Sequence, residues 1–197
     1  MSMTWMEWVA AASYLWSVWL LAHNKPLGWW IGLIGTFLYI WIFYVVWLPG
    51  EILIQSYFLL TSLWGIWIWL HGGEKSAEKP VERISKPQKI GAGVVFVIGW
   101  AGFYWAFSAM EGKVPFWDSF TTIVSFIAQY FLVKRYVESW HLWLVVDVVY
   151  VPLYASRGLY VTAGLYAIFL WMAYRGLKNF QAEWIKEQRS KGFDTIE

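Results

Sequence analysis

Apolar runs long enough to cross a bilayer recur along the whole chain, and most of the breaks between them are short. A hydrocarbon core about 30 Å thick takes about 20 residues of helix. Windows of that size predict spans at 4–22, 27–47, 51–71, 91–110, 117–137, 139–155 and 159–177. One connection, residues 72–91, is long, polar and rich in Lys, Glu, Pro and Gly, and it reads as a solvated linker between two groups of three helices. The expected fold is therefore an all-α polytopic membrane protein with seven transmembrane helices in a 3+1+3 plan. Residues 1–72 form a first bundle, 73–112 the linker and fourth helix, 113–180 a second bundle, and 181–197 a polar helical tail.

An ungapped shift of 111 residues lays spans one to three over spans five to seven. It pairs Glu7 with Asp118, Trp29 with Trp140, Tyr39 with Tyr150, Phe58 with Phe169 and Gly65 with Gly176. Four crossings separate equivalent helices, so the halves share one orientation and form a parallel repeat about an axis along the membrane normal. Such a plan puts a substrate site at the bilayer midplane, between the halves.

Composition strengthens the membrane assignment. The chain is 59% hydrophobic, 22% aromatic and only 14% charged, with a mean hydropathy of +0.47, more apolar material than a soluble core of its length uses. Many of its 18 Trp and 12 Tyr flank apolar runs, where amphipathic rings settle at the headgroup boundary. The absence of Cys removes disulfides, haem attachment and thiolate metal sites. The first apolar run carries Glu7 and lacks a basic flank, so no cleavable signal peptide is expected. With seven spans, Lys25, the basic residues from Lys75 to Lys89, Lys134, Arg135 and those from Arg175 onward share one side, while Lys113 and Arg157 face the other. By the positive-inside rule the crowded side is cytoplasmic, with the N-terminus outside and the C-terminus inside.

The candidate chemistry centres on 139–154, where one carboxylate, Asp147, interrupts an apolar stretch. A charge at that depth costs roughly 2.5–3.5 kcal/mol on insertion scales, so it is expected to face a cavity, a partner or a substrate. Trp140 and Trp143 precede it at helical spacing on the same face, and two indoles beside an anion make a cradle for a flat cationic ring. The plainer alternative makes both Trp interfacial anchors and pairs Asp147 with a neighbouring helix. In the fifth span Asp118, Thr122, Ser125 and Gln129 draw one polar stripe. Asp118 suits a helix cap, Thr122 can bond its own backbone, and Gln129 is the cavity candidate. Gln55 in the third span, Tyr39 in the second and Tyr150 in the sixth are further deep polar groups. His23, His71 and His141 lack ligand spacing, so no metal is expected; nor does any catalytic motif point to an enzyme or a cofactor, or any basic pattern to nucleic acid.

The segment from Val114 to Tyr160 resembles the corresponding region of the PnuC family of bacterial vitamin transporters, whose W-x-x-W-x-x-x-N/D pattern is matched by Trp140, Trp143 and Asp147. Residues 28–43 and 53–69 are similar to that family's second and third helices, so the likeness spans most of the chain apart from the linker, fourth span and tail. The resemblance implies a SWEET-like fold that takes up nicotinamide riboside by facilitated diffusion, with cytoplasmic phosphorylation trapping the product. It also implies a homo-oligomer, a trimer being one form. By the resemblance Trp140 and Trp143 would be aromatic walls for the ring and Asp147 a polar contact; Gln55, Gln129, Tyr39, Tyr150 and Thr122 join the expected site by their position in the spans alone. Relatives that handle thiamine or riboflavin leave the vitamin open, and a receptor that binds without transporting is the alternative of another class.

Overall fold

The computed structural model describes residues 5–45, 49–74, 77–109, 115–156 and 158–193. Lys75, Lys113 and Arg157, which enter the expected orientation, lie outside the described residues, as does the side chain of Lys191. Among the described residues there are seven α-helices: α1 (Trp5–Ala22), α2 (Leu27–Val45), α3 (Pro49–His71), α4 (Lys86–Ala109), α5 (Pro115–Val133), α6 (Glu138–Ser156) and α7 (Tyr160–Phe193). Each expected span has its helix. Windows in α2, α3, α4 and α5 are apolar enough to cross a membrane on length and composition alone. The helix α7 runs on through position 180 without a break, so the polar tail is a continuation of the last span.

Contacts among the helices close a ring. Within each half the middle helix packs between the other two, α2 between α1 and α3, α6 between α5 and α7, and the halves meet where α1 touches α7 and α3 touches α5. The two junctions are equivalent under the 111-residue shift. Helix α4 packs against α5 and has no buried residue, so it stands outside the ring.

The repeat is visible in the packing. Trp29 of α2 covers Gly65 of α3, where an added Cβ would fall 2.7 Å from the indole; Trp140 of α6 covers Gly176 of α7, where it would fall 2.6 Å away. Trp29 meets Trp69 edge-on at 5.6 Å, and Trp140 meets Phe180, the equivalent position, edge-on at 5.5 Å. Asn24 and Arg135, also equivalent, are the positive-φ non-glycine residues of the described chain and turn α1 into α2 and α5 into α6. Trp29, Trp69, Trp140 and Phe180 join one apolar cluster with Val81 of the linker.

Residues 77–85 depart from the solvated linker expected. Val81 is 1% exposed and belongs to that cluster. Glu82 forms a parallel bridge with Tyr136, its N–H donating to the Arg135 carbonyl at 3.2 Å and its carbonyl accepting from Val137 at 3.0 Å. The N–H of Val81 donates to Glu187 and that of Ile84 to Glu138, both at 3.1 Å. A buried backbone must find such partners. Arg135 is central: its guanidinium donates to the Lys79 carbonyl, lies 3.9 Å from Glu78 and stacks 5.0 Å over Trp69. Burial draws it below its ordinary pKa, while the carboxylates of Glu78, Glu187 and Glu183 pull it back. Polar composition hid this packing because one apolar residue, Val81, anchors a segment whose other groups bond through their backbone.

The two junctions between halves differ. Across α3 and α5, the Tyr57 hydroxyl donates to the Phe126 carbonyl at 2.7 Å, the Gln129 amide to Thr61 Oγ1 at 3.3 Å and the Trp69 indole to the Leu132 carbonyl at 3.0 Å. Across α1 and α7 the Asn179 amide donates to the Ala22 carbonyl at 2.8 Å. Beside that bond a groove of about 440 Å³ is lined by Ala12, Leu15, Trp16, Trp19 and Met172.

Because a Cβ at either seam glycine would overlap an indole, Gly65→Val and Gly176→Val are each expected to destabilise by about 1–3 kcal/mol, the usual cost of overpacking. Gly102→Ala, which meets nothing within 4 Å, is expected to be neutral. Thermal unfolding of detergent-purified variants checks this; equal behaviour of all three would count against the Trp-on-Gly seams.

Candidate functional site

The middle of the ring is polar. Asp147 stands at the midpoint of α6, 4% exposed, and among the described residues its carboxylate makes no hydrogen bond or ion pair. It acts electrostatically on Tyr166 of α7. One turn further along α6, Tyr150 lies 4.6 Å from Tyr166 and 5.4 Å from Tyr154, which stacks on Tyr166 at 5.2 Å. The Tyr150 hydroxyl lies close to Thr121 of α5. A carboxylate and three phenol rings therefore share the second half's inner surface, offering an anion beside π-faces.

The first half carries a different cluster at the same depth. Thr36, the midpoint of α2, is buried and equivalent to Asp147 under the repeat. Tyr14 of α1 donates to Gln55 Oε1 of α3 at 2.7 Å, lies 3.2 Å from Thr36 Oγ1 and stacks on Tyr39 at 5.3 Å. Tyr39 in turn stacks on Phe43.

The sequence candidates thus divide. Asp147, Tyr150, Gln55 and Tyr39 belong to these two clusters. Trp143 is half-buried and packs against the apolar cluster one turn before Asp147. Trp140 is 1% exposed, with its ring against Gly176 and Phe180. Its indole N–H has no partner among the described residues, but neither has that of Trp29. The shared orphan comes with the seam, so in this arrangement Trp140 acts as a support for α6. Gln129 is committed to Thr61 across the α3–α5 junction. The Thr122 hydroxyl bonds back to the Asp118 carbonyl at 2.7 Å, the local alternative open to any helical Thr. Asp118 lies within the first turn of α5, a favourable place for a carboxylate near the positive helix end, rather than before it as a cap. Pro152 sits inside α6 without ending it.

Tyr14, Thr36 and Tyr166 are additions. The repeat held the signal for Thr36, since the shift that pairs Trp29 with Trp140 also pairs Thr36 with Asp147. Among the described residues no group of His, Cys, Asp and Glu has the arrangement of a metal site.

A ring of membrane-length helices closed around a buried polar centre, with a seventh helix outside it, is the build of a polytopic membrane transporter. The chain belongs to the nicotinamide mononucleotide transporter family, whose sequence model matches residues 4–186. It is 24% identical over 216 residues to the nicotinamide riboside transporter PnuC of Escherichia coli (strain K12), covering 96% of this chain and 89% of that protein. The riboflavin/roseoflavin transporter RibM of Streptomyces davaonensis is 24% identical over 140 residues, 68% of this chain and 64% of its own. The crystal structure of the vitamin B3 transporter PnuC superposes with a TM-score of 0.73 at 23% identity, covering 92% of this chain and 83% of that one. That likeness extends to the fold: seven helices, all-α, in the 3+1+3 arrangement.

Removing the Trp140 ring from its seam is expected to cost about 3–5 kcal/mol, the range for large aromatics truncated in a packed interior. Trp143→Ala, at a half-buried position, is expected to cost less, and Thr122→Val to leave stability unchanged. Thermal unfolding of the three variants separates these roles; a larger loss for Trp143→Ala would reverse the assignment of Trp140 as the support.

Proposed function

We propose that this protein moves nicotinamide riboside across the membrane, with Asp147 facing the positively charged pyridinium ring and Trp143 and Tyr150 providing aromatic surface. The observation that carries the reading is the buried, unpartnered carboxylate of Asp147 among three tyrosine rings. In an environment with an effective dielectric near 20, opposite charges about 4 Å apart attract by about 4 kcal/mol, enough to favour a cation strongly over a neutral isostere. The PnuC relatives named for nicotinamide riboside support it.

The family's description names the mononucleotide, but the chemistry around Asp147 favours the riboside. None of the described residues gathered in the two clusters is Lys, Arg or His. A phosphate monoester would bring about two negative charges toward a carboxylate with no cation to meet them. Riboflavin, the cargo in RibM's name, is neutral and would leave Asp147 unpaired.

In this reading transport is facilitated diffusion, the two three-helix halves rocking about the midplane site, and phosphorylation in the cytoplasm retains the product. The linker end, with its excess of Lys and Arg, faces the cytoplasm, which puts the N-terminus outside. The working form is a homo-oligomer in a bacterial inner membrane.

Purified protein is expected to bind nicotinamide riboside in tryptophan-quenching and calorimetric titrations, with the mononucleotide and riboflavin weaker by at least about tenfold, a difference of 1.4 kcal/mol. Asp147→Ala and Trp143→Ala should each weaken riboside binding by a similar factor. Tight binding of thiamine instead would keep the cation site and change the cargo; tight binding of riboflavin alone would remove the role given to Asp147. Uptake into liposomes should persist when the proton gradient is collapsed, and loss of uptake would replace diffusion by proton coupling.

A further inference from the structure

The two halves repeat one scaffold but present unlike chemistry at equivalent positions. Where the second half has Asp147, the first has Thr36; where the second has Tyr166, the first has Gln55. The second cluster holds a buried carboxyl group with no hydrogen bond or ion pair among the described residues, whereas the first has hydroxyl and amide groups bonded to one another.

The wiring leaves particular groups over. Tyr14 gives its hydroxyl proton to Gln55 Oε1, and Thr36 gives its own to the Gly32 carbonyl at 3.0 Å. The two hydroxyl oxygens lie 3.2 Å apart, within hydrogen-bond reach of each other; each carries one proton and two lone pairs, so acceptor capacity is left over on this adjacent pair. The Gln55 amide nitrogen, with no partner among the described residues, adds two donors beside them. Adjacent acceptors next to an amide donor match vicinal hydroxyls, which give and take hydrogen bonds together. Stacking of Tyr14 on Tyr39 at an interplanar angle of 13° holds the phenol in place.

We propose that Tyr14 and Thr36, with Gln55, bind the vicinal hydroxyls of the substrate's sugar, so that the first half takes the sugar while the second half takes the cationic ring. This rests on the function proposed above and fixes the direction in which the substrate lies across the ring. Tyr14 and Thr36 then decide between a glycosylated ring and the same ring without its sugar. A site that leaves polar groups unpaired rejects the analogue lacking their partner.

The test compares two probes on the full chain in detergent: nicotinamide riboside, and 1-methylnicotinamide, which keeps the ring and charge and lacks the sugar. In the parent the riboside is expected to bind at least about tenfold more tightly. In Tyr14→Phe and in Thr36→Val that ratio should shrink at least about threefold while 1-methylnicotinamide affinity stays unchanged. A purely structural role would lower both affinities together and preserve the ratio, and that result overturns the inference, as does a ratio preserved with both affinities intact. Thr36→Ser, which restores the hydroxyl, should recover the parent ratio. If the parent binds neither probe, the proposed function falls and this inference with it; if the parent binds the riboside and the ratio does not move, the function stands and only the sugar assignment fails.

Discussion

Two indole rings lying on two glycines hold this molecule together. In each half the middle helix is locked to the last by a Trp that only a glycine can accommodate, Trp29 on Gly65 and Trp140 on Gly176. Between helices in lipid there is no hydrophobic effect to draw on, so close approach at small residues and well-packed rings supply the association. Each seam fixes the rotation of its middle helix about its own axis. That rotation decides where the midpoint residue points, Thr36 in one half and Asp147 in the other. The site therefore inherits its geometry from contacts at the end of the ring, two to three turns away.

The same scaffold tolerates a costly feature in one half and avoids it in the other. Thr36 gives its proton to its own helix and lies beside the Tyr14 hydroxyl, so the first half buries no charge and keeps only hydroxyl and amide groups open. Asp147 has no such arrangement among the described residues. Burying a carboxylate that nothing in the fold neutralises is a poor way to gain stability. It makes sense as a reserve of interaction energy held for a cation.

Much of the architecture was legible in the chain. Apolar runs of membrane length place all seven helices, although α7 runs on to Phe193, well past the expected end at 177, and the 111-residue shift matches packing equivalents such as Trp29 with Trp140. Asp147 stood out because a charge in an apolar run has few explanations. Side-chain type alone does not say which bonds a side chain makes. Gln129 looks like a cavity group but spans two helices to reach Thr61. Thr122 returns its hydroxyl to its own backbone. Tyr14 passed unnoticed in an aromatic-rich helix, since phenols in such helices are ordinary until a partner such as Gln55 is seen. The linker was misjudged because its order comes from backbone bonds to Arg135, Val137, Glu138 and Glu187, which composition does not register.

The unequal junctions between the halves carry a mechanical consequence. Three hydrogen bonds join α3 to α5, from Tyr57 to Trp69 on one helix and from Phe126 to Leu132 on the other, whereas one bond is described across α1 and α7, next to an apolar groove. A closed loop pulled apart yields at its weakest joint and bends at its strongest. The six helices thus resemble a cuff with a hinge at α3 and α5 and a clasp at α1 and α7. The groove beside the clasp is lined from both halves, by Ala12, Leu15, Trp16 and Trp19 of α1 and Met172 of α7, so anything seated in it touches both at once.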